Sequence, residues 1–154
     1  MSPASPRTTL APRTPEAVPL SAGGSSTPDY VPTILVADDD EAIRDLITVK
    51  LERADYRVLT ADNGAAALHI VEKQLPDAVI LDISMPDLDG LEVCYRMQTL
   101  RATVDIPVLI VSSRSGHNDI SLALTIGADD YLVKPFNPAD LVRRIRWLLL
   151  ANDH

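Results

Sequence analysis

Short apolar runs in this chain end on a carboxylate, a hydroxyl or a lysine, and they alternate with amphipathic stretches of helical length. The runs are ILVA before Asp38 and Asp39, AVIL before Asp82, PVLIV before Ser112 and DDYLV before Lys134. Unbroken apolar runs of four or five residues fit strands buried on both faces, and alternation with helices fits a parallel sheet. Strands are predicted over 33–37, 57–61, 78–82, 108–112 and 130–133, and helices over 40–53, 64–74, 89–100, 118–126 and 138–150. That is an α/β pattern of five βα units with helices on both faces. The carboxyl ends of such strands share one crevice, so acid, hydroxyl and cation are brought to one place.

Helix patterning agrees. Ile43, Leu46, Ile47 and Leu51 repeat at helical spacing on the first helix, and Arg44, Lys50 and Glu52 fall largely elsewhere. Asn137 is a candidate N-cap of the last helix, with Pro138 at its first position and Asp140 at its third. Along that helix Leu141, Ile145 and Leu148 share a buried face, which leaves Val142, Trp147 or Leu149 partly exposed as a candidate dimer or partner surface.

Composition sets the boundaries. The first 32 residues hold seven of the twelve prolines, a Gly23-Gly24 pair, many Ser and Thr, and only four charges, so a disordered tail is expected there. Residues 33–150 are read as the folded domain, and 151–154 as a short end with no further domain after it. Pro12, Pro15 and Pro19 interrupt any apolar stretch in the tail, which argues against a secretory signal or a membrane span and for a cytoplasmic protein. The tail's charges cancel, so the net charge of −8 belongs to the folded part. An acidic globule repels phosphate backbones, so no direct nucleic-acid contact is expected and partner proteins fit better. Cys94 is the sole cysteine, and the three histidines lack ligand spacing, so any metal must be held by oxygen. His69, His117 and Cys94 are read as structural.

Asp38, Asp39 and Asp82 in one crevice repel one another by roughly a few kcal/mol per close pair at an effective dielectric near 20. Raised carboxyl pKa values or a hard divalent cation would offset this, and oxygen ligands with room for water favour Mg²⁺. Lys134 then offers a point charge for a phosphoryl oxygen, Ser112 a hydroxyl, and Asp82, ending the third strand, a nucleophile. The chemistry is phosphoryl transfer through an aspartyl phosphate. Helix capping competes for the acids, and Asp40 suits the first helix best; Asp87 or Asp89 suits the third, with Gly90 allowing a turn. Ser112 could equally stabilise a turn, Tyr131 be ordinary core, and Lys134 a solvated surface group.

The segments ILVADDDEAIR, AVILDISMPDLDG, PVLIVSS and GADDYLVKPF resemble the receiver domain of two-component response regulators, with spacings of 43, 30 and 22 between Asp39, Asp82, Ser112 and Lys134. The resemblance covers about residues 33–150 and implies a flavodoxin-like five-stranded parallel sheet in the order 2-1-3-4-5. It assigns Asp82 as phosphoacceptor, Asp39 as a direct Mg²⁺ ligand, Asp38 as acting on the metal mainly through water, and Ser84 as a ligand through its backbone carbonyl. Ser112 and Tyr131 match the switch pair, and Lys134 the phosphoryl-binding lysine, aimed by a cis Lys134–Pro135 peptide. The resemblance further implies a phosphohistidine donor on a sensor kinase or phosphotransfer protein. It makes the chain a phosphoacceptor and not an enzyme, beyond its own phosphorylation and slow autodephosphorylation. On phosphorylation Ser112 and Lys134 would move to the new oxygens and Tyr131 inward, and a downstream partner or second copy would read the surface of the fourth helix, fifth strand and fifth helix. Arg114, two residues past Ser112, is expected to affect the lifetime of the aspartyl phosphate.

The leading reading is thus a stand-alone receiver; the alternatives are the receiver fragment of a longer regulator with an output domain, or a phosphorylation-independent scaffold. A haloacid-dehalogenase-like phosphatase also forms an aspartyl phosphate, but it needs a second aspartate two residues after the nucleophile. Ser84 occupies that position, and the nucleophile ends the third strand instead of the first.

Overall fold

Five strands and five helices alternate strictly in the computed structural model, which describes residues 30–152. They are β1 (Thr33–Ala37), α1 (Glu41–Arg53), β2 (Arg57–Ala61), α2 (Gly64–Gln74), β3 (Ala78–Leu81), α3 (Gly90–Gln98), β4 (Val108–Ser112), α4 (His117–Ile126), β5 (Asp130–Val133) and α5 (Pro138–Asn152). The expected tail lies outside the described residues, apart from 30–32, and 151–152 extend α5 beyond its expected end at 150. Every strand pair is parallel, and the sheet order is β2-β1-β3-β4-β5. This is the flavodoxin-like order implied by the resemblance.

Alternation along the strands divides the core into two layers. Leu35, Ala37, Val79, Leu81, Val108 and Ile110 face one layer, completed by Ala67 and Val71 of α2, Val93 and Met97 of α3 and Ala123 of α4. Ile34, Val36, Ile80, Leu109 and Val111 face the other, against Ile47 and Leu51 of α1 and Leu141, Ile145 and Leu148 of α5. Two faces buried at once explain why β1, β3 and β4 read as unbroken apolar runs. One expectation fails on α1: Leu46 is exposed, because the helix rests on the sheet along the Ile47–Leu51 line.

Capping fixes where the helices begin. Asp40 accepts hydrogen bonds from the Ala42 and Ile43 N–H groups, Asn63 from Ala66 and Asp89 from Glu92. Asn137 Oδ1 accepts from Ala139 N–H at 2.9 Å. At the opposite end of the sheet two aspartates cap strand edges: Asp77 accepts from Thr33 N–H and Asp129 from Val108 N–H, each at 2.8 Å. Among the described residues no helix is long and apolar enough to cross a membrane.

Candidate functional site

The carboxyl ends of β1 and β3 lie side by side, with Ala37 paired to Leu81, so the residues that follow each strand meet. Asp38, Asp39 and Asp82 each place a carboxylate oxygen within 4.8 Å of the others. Asp38 and Asp82 are only 2 % and 5 % exposed, whereas Asp39 is open to solvent. Each oxygen of Asp38 is engaged: Oδ1 accepts from Asp40 N–H at 2.9 Å, and Oδ2 from Lys134 Nζ at 2.8 Å. The Asp38 main-chain carbonyl accepts from Arg44 at 2.8 Å.

Lys134 reaches this cluster from the end of β5, where Lys134 N–H donates to the Ser112 carbonyl at 2.8 Å. The Lys134–Pro135 peptide is cis, as the resemblance implied. The ammonium also lies 3.6 Å from Asp82 Oδ1, so one cation bridges two buried carboxylates. Burial opposes its charge, but the hydrogen bond to Asp38 and the charges of Asp82 and Asp38 outweigh it and hold the Lys134 pKa above its ordinary value.

The Asp82 pKa is also raised, which for a carboxyl disfavours the charged form. Burial pushes its carboxyl up to about 6, and Asp38 and, more weakly, Asp39 add to the rise; Lys134 and a hydrogen bond from the Ser84 backbone oppose it. One lysine therefore does not neutralise the cluster. A hard cation among these oxygens would complete the neutralisation, and a donor set of three converging carboxylates with no nitrogen or sulfur suits it. Ser84 itself is exposed, in the loop beyond Asp82.

Ser112, ending β4, is 1 % exposed, and its Oγ accepts from Arg114 N–H at 3.1 Å, the turn-stabilising contact that competed with its functional reading. Tyr131 is 8 % exposed and donates its hydroxyl to the Arg114 carbonyl at 2.6 Å, so its ring lies inward. The β4–α4 loop is thereby tied to both Ser112 and Tyr131. Two features escaped the sequence reading. Arg44 looked like a solvent-side helix residue, yet it holds Asp38. Gly90 looked like a turn residue, yet it sits in α3 without a positive φ; a Cβ there would lie 2.1 Å from the Asp82 carbonyl oxygen, so the bare Cα is what lets α3 approach the Asp82 backbone. Cys94 is buried, which, with the Asp129 charge, pushes its thiol up to about 12 and leaves it unreactive.

The response regulator receiver domain family matches residues 34–146. The chain belongs to that family. Among curated relatives of this receiver domain, the alkaline phosphatase synthesis transcriptional regulatory protein PhoP of Bacillus subtilis is 40% identical over 120 residues, covering 78% of this chain and 49% of PhoP. The DNA-binding dual master transcriptional regulator RpaA of Synechocystis is 39% identical over 123 residues, covering 80% of this chain and 51% of RpaA. The chain spans about half the length of the curated relatives it matches. Among solved structures, a CheY-like receiver domain protein from Methanospirillum hungatei has a TM-score of 0.75 at 30% identity, covering 80% of this chain and 97% of that one. Chemotaxis response regulator CheY4 of Vibrio cholerae has a TM-score of 0.73 at 28% identity, covering 77% and 99%. Because relatives such as RpaA are named DNA-binding regulators, the expectation that this protein makes no direct nucleic-acid contact is not supported.

Proposed function

We propose that this receiver accepts a phosphoryl group on Asp82 from a phosphohistidine of a sensor kinase or phosphotransfer protein, and signals in the cytoplasm by changing the surface it offers to a partner. The observation that carries this reading is the bridging of buried Asp38 and Asp82 by Lys134 beside the exposed Asp39. An Asp82 oxygen attacks phosphorus; the P–N bond of the donor breaks as the P–O bond forms, and the departing imidazole takes up a proton. Near neutral pH Asp82 is ionised and competent to attack, since its pKa of about 6 lies below the medium. Lys134 swings from Asp38 to a phosphoryl oxygen, and Ser112, whose Oγ accepts from the Arg114 N–H, donates its hydroxyl proton to another. Asp38, Asp39, Asp82 and the Ser84 carbonyl would hold Mg²⁺, Asp38 mainly through water; when bound, the ion supplies neutralisation of phosphoryl charge. The protein so described catalyses only its own phosphorylation and slow dephosphorylation.

The readout we assign to α4, β5 and α5, because Tyr131 of β5 and the loop entering α4 are hydrogen-bonded to each other. On α5, Trp147 is 69 % and Leu150 63 % exposed, while Val142 and Leu149 pack against the core, so Trp147 heads the apolar patch available to a partner or second copy. A monomer by sedimentation in both phosphorylation states would remove the second copy.

A second reading, the receiver part of a longer regulator with an output domain, is favoured by the half-length match to curated relatives. A native host product heavier than 16.7 kDa would establish it. Intact mass after incubation with a small acyl phosphate tests the phosphoryl chemistry. One added phosphoryl group, only with Mg²⁺ and only with Asp82 present, is expected; no addition would favour a phosphorylation-independent scaffold.

A further inference from the structure

Asp38 is held at both carboxylate oxygens and along its main chain, and two of its holders belong to parts already given a role. Lys134 takes Oδ2, and the capping turn of α1 takes Oδ1 through Asp40 N–H. The third holder is Arg44. It sits one turn inside α1, half-buried, and its guanidinium reaches back past the helix start to donate to the Asp38 carbonyl at 2.8 Å. No other side chain donates to a main-chain carbonyl of the Asp38–Asp40 turn among the described hydrogen bonds. The Asp38 N–H is also fixed, donating to the Ala61 carbonyl at 3.1 Å.

With both backbone sides of Asp38 held, the direction in which the Asp38–Asp39 turn leaves β1 is set. That direction decides whether the exposed Asp39 carboxylate converges on Asp82 or swings into solvent. We infer that Arg44 is a positioning residue for the acidic cluster, holding the turn after β1 so that Asp38 and Asp39 present a preformed divalent-cation site. A guanidinium suits this task, since its planar set of donors stays charged and directs a hydrogen bond at fixed geometry.

Geometry and charge make opposite demands here, and that separates them. As a charge alone, Arg44 repels an incoming cation, so its removal would tighten Mg²⁺ binding. As a positioning residue it preorganises the ligands, so its removal weakens binding. The inference rests on the metal-binding reading of the site.

The experiment is a calorimetric titration of the full chain with MgCl₂, comparing wild type with Arg44→Met, Arg44→Lys and Asp82→Asn, each checked for folding by circular dichroism. Arg44→Met keeps most of the apolar stem and is expected to weaken Mg²⁺ binding ~10-fold, with Arg44→Lys staying within ~3-fold of wild type. Phosphorylation by an acyl phosphate should need correspondingly more Mg²⁺ in Arg44→Met but reach the wild-type rate at saturation. Unchanged or tighter binding by Arg44→Met, alongside a wild type that binds and an Asp82→Asn that does not, overturns the role of Arg44 alone. A wild type without Mg²⁺ binding overturns it together with the metal reading.

Discussion

Asp82→Asn should make the metal-free protein more stable, although it removes the proposed phosphoacceptor. The substitution is nearly isosteric, the Asn oxygen can still accept the Ser84 N–H, and Lys134 keeps its 2.8 Å bond to Asp38. What disappears is a negative charge that the fold disfavours. The Asp82 carboxyl titrates at about 6 in the folded protein against 3.8 in a free chain. Between those values the folded state binds a proton that the unfolded state has released, so stability falls as pH rises through the window and stays lowered above it. A rise of roughly two pH units corresponds to about 3 kcal/mol at pH 7.5, shrinking to about 1 kcal/mol at pH 4.5. Urea unfolding followed by circular dichroism in EDTA reads this directly; Trp147 is too exposed to report the core. The expected result is a higher midpoint for Asp82→Asn at pH 7.5, worth about 10 °C in Tm, and a much smaller gap at pH 4.5. Millimolar Mg²⁺ should narrow the gap by stabilising wild type. Equal stability at pH 7.5, or a gap of the same size at both pH values, would refute the reasoning.

Lys134→Ala leaves Asp38 and Asp82 buried without their shared counter-charge and should cost about 3 kcal/mol at neutral pH in EDTA; a loss under about 1 kcal/mol would show that water already compensates the pair. Gly90→Ala puts a methyl group 2.1 Å from the Asp82 carbonyl oxygen and should destabilise the fold by about 3 kcal/mol while slowing phosphorylation, and wild-type behaviour in both would mean that α3 can retreat. Arg114→Ala keeps the main-chain groups that bind Ser112 and Tyr131, so the fold should be untouched while the aspartyl-phosphate half-life changes several-fold; an unchanged half-life removes the side chain from the site.

The central strands were legible because burial on two faces writes itself as an unbroken apolar run, and three such runs, before Asp38, Asp82 and Ser112, together with the edge strand before Lys134, delivered the site with them. β2 was harder in principle, since as an edge strand it mixes exposed and half-buried positions, and its neighbours in the chain carried it. Arg44 was not legible. A charged residue six positions after Asp38 on an amphipathic helix has the pattern of a solvated side chain, and only the path of its guanidinium back across the helix start gives it a partner. Gly90 was read for the freedom of its backbone, whereas what counts is the space its missing side chain leaves beside Asp82; no local pattern encodes a neighbour from another element. The exposure of Leu46 has the same origin, because the tilt of α1 on the sheet depends on its contact with β2 and α5.

Asp77 and Asp129 give the sheet a polarity beyond that of its parallel strands. Each precedes a strand and satisfies the first amide of the strand next to it, so at that end acidic side chains relieve unmet backbone donors. At the other end the same residue type is crowded against itself, with a lysine serving two acids at once. The domain is thus minimally frustrated at one edge and deliberately frustrated at the other. A chemical event at the crowded edge can be spent on rearranging loops there, while the stitched edge keeps the strands in register.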